Sequence, residues 1–206
     1  TAPIHIIPSV LIVHPALPVQ TVKDVIALAR ARPDTLLMAS PGMGSNGHLT
    51  GELFQSMAKV RFVHVPYKGG GAASVDLISG QVQLGFEPLS TPLAHIRAGK
   101  LRAIAVTSRT RSVLFPAMPT IDESGVRGFE STTSTVLALP AATPKEAVQK
   151  VREALLIVLD QPRTRQSFEK LGGEVIKSTP EEYVRRMQEE HARWTRIRKE
   201  TGIKVE

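Results

Sequence analysis

The chain has 206 residues, with 26 Lys+Arg against 19 Asp+Glu, no cysteine and 42% apolar residues. That length allows one large domain or two small lobes, and the apolar share supports a packed core and excludes global disorder. Without cysteine there is no disulfide, thiol nucleophile, Fe–S cluster or cysteine-ligated zinc site.

The net charge of +7 raises the question of a nucleic-acid partner, because a basic face exchanges counterions with phosphates. The distribution of the charge argues against one. Residues 1–142 hold 12 bases and 8 acids, and residues 143–206 hold 14 and 11, interleaved as in Glu181-Glu182, Arg185-Arg186 and Glu189-Glu190. Acids four residues before bases pair along a solvated helix face. Attraction of small anions stays open. No apolar run approaches the ~18–20 residues of a membrane span. Thr1-Ala2-Pro3 opens straight onto an apolar run without a secretory leader, which fits a sequence lacking a leader or more than a leader.

Residues 4–7 and 10–13 are β-branched runs separated by Pro8, which suits extended backbone. Pro15 and Pro18 force a turn. Thr21 reads as an N-cap with Asp24 at the third helical position, leading into Val22, Val25, Ile26 and Ala29 at helical spacing. Arg32-Pro33-Asp34 ends that helix. Residues 36–39 form an apolar strand, Ser40 to Gly47 a loop, and Leu49, Leu53 and Met57 mark one face of the next helix. Residues 61–66 read as a strand, Tyr67-Lys68-Gly69-Gly70-Gly71 as a loop, and 72–79 as a helix closed by Gly80. A strand at 81–86, a helix at 92–98 ending at Gly99, and a buried strand at 101–107 follow. This spacing predicts an α/β sheet with helices on both faces.

After a Pro/Gly-rich stretch at 109–130, residues 132–139 resume as a strand stopped by Pro140. Two T-P-x-E capping boxes, Thr143 to Glu146 and Thr179 to Glu182, start helices over 143–170 and 180–201. Leu171-Gly172-Gly173 and a short strand or linker at 174–178 part them. On the last helix Tyr183, Met187, Trp194 and Ile197 are expected to share a buried stripe.

The segment richest in chemistry is the strand–loop–helix at 36–57. Ligands of α/β sheets collect at the carboxyl ends of strands, where the unpaired N–H groups of a first helical turn bind carboxylate or phosphate. Gly42, Gly44 and Gly47 admit a ligand close to the backbone, and Ser40, Ser45, Asn46 and His48 add polar side chains. Spacing alone fits an anion site and a plainly capped helix, with Ser45 as N-cap, equally well. It is neither a P-loop nor a G-x-G-x-x-G fingerprint. Tyr67 and Lys68, before three glycines, fit either a cleft wall or a tight turn with a surface lysine. Glu87, at a strand end, fits a carboxylate orienting a donor on a ligand, or a helix cap through Ser90 and Thr91. The six histidines form no zinc motif. Ser40 or Ser45 with His48 and Glu87 makes a conceivable triad, but no G-x-S-x-G elbow supports it. His64, in an alternating strand, reads as structural.

Val65-Pro66-Tyr67-Lys68-Gly69-Gly70-Gly71-Ala72, with Asp76-Leu77, Gly80-Gln81-Val82 and Phe86, resembles the solute-binding receptors of tripartite tricarboxylate transporters, the Bug-type, TctC-like periplasmic proteins. Leu11-Ile12-Val13-His14-Pro15, Ala98-Gly99-Lys100-Leu101-Arg102, Ala105-Val106-Thr107-Ser108, Pro119-Thr120 and Thr143-Pro144 match in the family's order along nearly the whole chain. The resemblance implies a periplasmic-binding-protein-like, two-lobed Rossmann-type α/β fold closing on a small carboxylate. One loop per lobe would grip it with backbone N–H groups and hydroxyls, partly through water. Carried over, the ligand residues are Ser40, Gly42, Met43, Gly44, Ser45, Asn46 and His48, with Tyr67 and Glu87 near the cleft.

Three features depart from the family. Its opening strand, P-x-x-G-G loop and helix have no counterpart, so the first lobe is expected to be incomplete. Glu87 stands where Asp is common. Ser134-Thr135 replaces an aromatic pair that walls the cleft.

The expectation is therefore a second lobe over 12–133, with 1–11 and 134–206 forming what remains of the first. Its function would be periplasmic capture of a di- or tricarboxylate or related organic anion for membrane permease subunits, with no covalent chemistry, cofactor, metal or nucleic acid. Apolar stripes left on helices 143–170 and 180–201 would favour a dimer or swapped oligomer. Two other classes are the effector-binding module of a regulator, and a hydrolase using Ser40 or Ser45 with His48.

Overall fold

The structure, a computed structural model, describes residues 2–176 and 178–201. Thr1, Lys177 within the expected short strand or linker at 174–178, and residues 202–206 lie outside the described residues. The two β-branched runs at the start are one strand, β1 (Ala2–Val13). Pro8 does not break it, because Pro8 stands where the strand changes partners. Between Ala2 and Pro8 it pairs antiparallel with β6 (Thr132–Leu137) and β7 (Glu174–Val175). From Ser9 to Val13 it pairs antiparallel with β4 (Leu84–Pro88), and from Val10 with β5 (Arg102–Val106). A residue without an N–H is tolerated at such a switch, and its carbonyl accepts from Leu89 N–H.

β2 (Leu37–Ser40) lies parallel between β3 (Val63–Pro66) and β4, giving the order β3-β2-β4-β1-β5. Side chains alternate across this sheet and sort the core into two layers. Leu11, Val13, Met38, Leu84 and Phe86 pack with Val25 of α1 (Val22–Ala31) and Leu53 and Phe54 of α2 (Asn46–Ala58). Val10, Ile12 and Ala39 face the other way, onto Ala73 and Leu77 of α3 (Gly70–Ser79). Helices therefore cover both faces, as the strand–loop–helix spacing predicts.

Local signals explain several of the helix ends. Thr21 caps α1 in a full capping box with Asp24. Ser45 caps α2 by accepting from His48 N–H. Thr179 and Glu182 bond reciprocally at the start of α7 (Pro180–Thr201). Thr143 does not cap its helix. A turn closed by Thr143 N–H on Pro140 O leaves Pro144 extended at ψ 138°, so α5 (Lys145–Asp160) begins one residue later with no side-chain cap.

The expected 143–170 helix is also two, α5 and α6 (Pro162–Glu169). Gln161 precedes a proline, which drives it out of the helical region to ψ 132°. On α7, Tyr183 and Ile197 are buried and Trp194 is partly buried, but Met187 is 50% exposed. It lines an open groove with Val136 and Val184. α7 packs at both ends, Tyr183 hydroxyl 3.1 Å from Ser134 Oγ and Ile197 in the core beneath α2, and Met187 falls between the two contacts.

Candidate carboxylate-binding site

β2, β3 and β4 run parallel and end at the same edge, so the turns after Ser40, Pro66 and Pro88 meet there. The first two are tied together by backbone: Tyr67 N–H donates to Ser40 O at 3.0 Å and Gly69 N–H to Pro41 O at 2.9 Å. Gly42 takes φ +148°, a conformation an L side chain rarely adopts, and a Cβ there would stand 3.2 Å from Tyr67 O. Gly47 lets α2 begin directly on the end of β4: a Cβ there would stand 2.6 Å from Phe86 O. α2 thus points its N-terminus at the carboxyl edge of the sheet. Helix geometry gives the N–H groups of Asn46 and Gly47 no acceptor one turn back, and the dipole adds positive potential there.

Side chains beneath the loop fix its shape. Ser40 is fully buried, and its Oγ lies 2.6 Å from His64 Nε2, 3.0 Å from Gly42 O and 3.2 Å from Gly42 N. Ser45 hydroxyl donates to Gly42 O at 2.7 Å. His48 Nδ1 accepts from Gly44 N–H at 3.0 Å, so the neutral ring carries its proton on Nε2, which faces Glu52 at 3.9 Å. Burial holds His48 below its ordinary 6.5, opposed in part by Glu52. His64 is pushed down to about 4, by burial first and then by neighbouring His48. Met43 is 50% exposed on the rim.

The remaining candidates lie around this core. Asn46 Oδ1 accepts from Ser9 hydroxyl at 3.0 Å, which ties α2 to the point where β1 changes partners. Tyr67 hydroxyl donates to Asp76 Oδ2 of α3 at 2.7 Å; burial, then that bond, push its pKa up to about 12. Gly70 and Gly71, expected in the loop, are the first residues of α3. Glu87 is 3% exposed beneath Gly70: a Cβ at Gly70 would stand 3.7 Å from Glu87 Oε2 and 3.9 Å from Pro41 Cγ. Burial alone pushes the Glu87 carboxyl up to about 7.

The conceivable hydrolase triad does not assemble. Ser45 hydroxyl is spent on Gly42 O, Ser40 lies against His64, and His48 Nδ1 is taken by Gly44. Among the described residues no group of three or more His, Asp or Glu is placed to hold a metal. Glu87 does not cap α4 (Leu93–Arg97), whose N-cap is Pro92 without a side-chain bond.

Sequence reading missed His64 as a partner of the loop. It also missed a buried polar knot: Thr107 Oγ1 accepts from Ser9 N–H at 2.8 Å and donates toward Ser9 O and Ser131 O, while Thr50 and Ser131 hydroxyls lie 2.6 Å apart. Its partners are up to 98 residues apart, and no local pattern links them.

The fold is that of the periplasmic-binding type of α/β protein, and the comparisons agree. The adipate-bound Rpa4515 of R. palustris superposes with TM-score 0.92 at 34% identity, covering 98% of this chain and 68% of that one. The periplasmic binding protein BugD does so with TM-score 0.89 at 29% identity, covering 98% and 69%. MatC (Rpa3494) of Rhodopseudomonas palustris, with bound malate, follows with TM-score 0.85 at 27% identity, covering 95% and 68%. Protein BugT of Bordetella pertussis is 33% identical over 199 residues, which are 97% of this chain and 61% of BugT.

The profile of the tripartite tricarboxylate transporter family receptor, TctC, matches residues 1–203, and the chain belongs to that family. Its members are solute-binding receptors rather than enzymes. Among the described residues no helix is long and apolar enough to cross a membrane.

Proposed function

We propose that this chain belongs to a periplasmic receptor that captures a small di- or tricarboxylate, or a related organic anion, and delivers it to the permease subunits of a tripartite tricarboxylate-type transporter. The observation that carries the reading is the N-terminus of α2, aimed at the carboxyl edge of the sheet behind a loop that Ser40, Ser45 and His48 hold in shape. Such a terminus offers N–H donors and positive potential without a fixed cation, which suits a carboxylate that must later be released. Ser40, Gly42, Met43, Gly44, Ser45, Asn46 and His48 form and back this grip, with Tyr67 and Glu87 beside it. The adipate bound by Rpa4515 and the malate bound by MatC support the ligand class.

We assign the grip to a lobe over 12–133, and residues 1–11 and 134–206 to the other lobe. The partner exchange of β1 at Pro8 supports a connection between them there. Exposed Val148, Val151 and Leu156 on α5, with Val184 and Met187 on α7, support self-association of the 206-residue chain when studied alone. A monomer by light scattering at high concentration counts against that part.

Calorimetric titration of the protein with adipate, malate and a panel of tricarboxylates tests the main reading. Saturable binding of at least one acid, weakened in Gly47→Ala, is expected. Absence of binding across the panel overturns it.

A further inference from the structure

Glu87 is a buried titratable group at this edge that, among the described residues, the grip leaves without a chemical partner. It is the penultimate residue of β4, opposite Val10 of β1, and is 3% exposed. Phe86 before it points into the core of α1 and α2, so Glu87 points to the α3 face. There its Oε2 lies under Gly70, in the first turn of α3, beside Pro41 at the start of the glycine loop. Among the described residues no hydrogen bond or ion pair reaches its carboxyl. A carboxyl buried without a cation favours its neutral form.

The titratable groups on the surrounding elements do not supply that cation. β1 carries His5 and is followed by His14, and α2 carries His48 and Glu52. β3 carries His64, stacked on His48, and both rings are held below 6.5. Asp76 of α3 is engaged by Tyr67, and Lys68 is exposed on the turn. None of them shifts Glu87; burial alone acts on it.

We propose that Glu87 is the proton-carrying group of the site: as a neutral acid it donates a hydrogen bond to a carboxylate of the ligand, so that a dicarboxylate enters together with one proton. This rests on the carboxylate-receptor reading above. An ionised Glu87 beside the incoming carboxylate would place two like charges in a desolvated edge, and one shared proton removes that repulsion. The proton comes from solvent and stays on the Glu87–ligand pair. The bound species is then a dianion plus a proton, which separates this site from one built to pair a ligand ammonium with an ionised carboxylate.

The test is calorimetry of the protein with adipate and malate in buffers of different ionisation enthalpy, between about pH 6 and 8.5, where both acids are essentially ionised. With the carboxyl of the free protein at about 7, uptake rises toward one proton per ligand above that pH. Affinity falls about tenfold per pH unit there and flattens below about pH 6. Glu87→Gln, checked for folding by thermal melting, loses both the uptake and the slope, and Glu87→Asp restores them. Binding without proton exchange, binding with proton release, or a pH slope that survives in Glu87→Gln overturns the inference and leaves the receptor reading standing. Failure of both acids and the wider panel to bind at any pH overturns both.

Discussion

His48 lies flat on His64, with ring centroids 4.1 Å apart and planes 11° apart, directly under the glycine loop. Two imidazoles so placed cannot both be charged, and burial already keeps each neutral near pH 7. Because their folded pKa values are depressed, the unfolded chain takes up protons first as pH falls below about 6.5, while folded His64 resists until about 4. Stability is therefore fully present above about 6.5 and is lost progressively down to about 4. For a half-buried ring screened by solvent the loss from His64 is on the order of 1–2 kcal/mol. Urea denaturation at pH 7 and pH 5 should show the drop, and His64→Gln should shrink the difference. An equal drop in the variant would count against this assignment.

Ser40 links the stack to the loop. Its hydroxyl is fully buried and meets His64 Nε2, Gly42 O and Gly42 N within 3.2 Å. Ser40→Ala removes one partner from three partly buried polar groups and should cost about 1–2 kcal/mol of stability. Because the lost bonds shape the loop at Gly42, affinity for the carboxylate ligand should fall along with stability. A variant that melts lower yet binds unchanged would show that Ser40 acts on the fold alone.

Gly47 and Gly51 occupy the same helix yet should answer differently to alanine. A Cβ at Gly47 meets the backbone oxygen of Phe86 at 2.6 Å and Pro41 Cδ at 3.2 Å, and neither can move without shifting β4 or the loop. A Cβ at Gly51 meets the thioether end of Met38, a flexible side chain that can turn into another rotamer, although it is fully buried. Gly47→Ala should cost about 1–3 kcal/mol and displace the N-terminus of α2, weakening ligand binding at least tenfold. Gly51→Ala should cost less and leave binding within a few-fold. Calorimetry and melting curves on both variants compare them directly.

These contrasts also mark what could be read from sequence. Apolar spacing and caps located the helices around Val25, Leu53 and Leu77, because a capping box or a left-handed glycine acts within four residues. The loop from Ser40 to Asn46 was legible for the same reason, since glycine, serine and a helix start lie together in the chain. Chain context defeated the reading elsewhere. Gln161 is helical by pattern but sits before Pro162, and Met187 keeps helical phase with Tyr183 yet faces an open groove. His64 entered the site because β3 lies parallel beside β2, pairing His64 with Met38, a register no local signal encodes. Glu87 stood out as a charge at a strand end, but its lack of a partner depends on three elements meeting in space.

The polar knot at the crossing of β1 gives the last prediction. Ser9 N–H and O both engage Thr107 Oγ1, Ser131 O lies within reach of the same hydroxyl, and Ser9 Oγ donates to Asn46 of the ligand loop. One threonine hydroxyl therefore satisfies buried backbone from two chain crossings, and through Ser9 it bears on the N-terminus of α2. Thr107→Val keeps the shape and removes the hydroxyl, leaving Ser9 N–H without this acceptor. It should cost about 1–3 kcal/mol, whereas Thr107→Ser should recover most of that. Because Ser9 positions Asn46, the valine variant should also weaken carboxylate binding, and serine should restore it. Parallel urea titrations and calorimetry of the two variants measure both effects. A valine variant that loses stability but keeps full affinity would show that the crossing and the ligand loop are energetically independent.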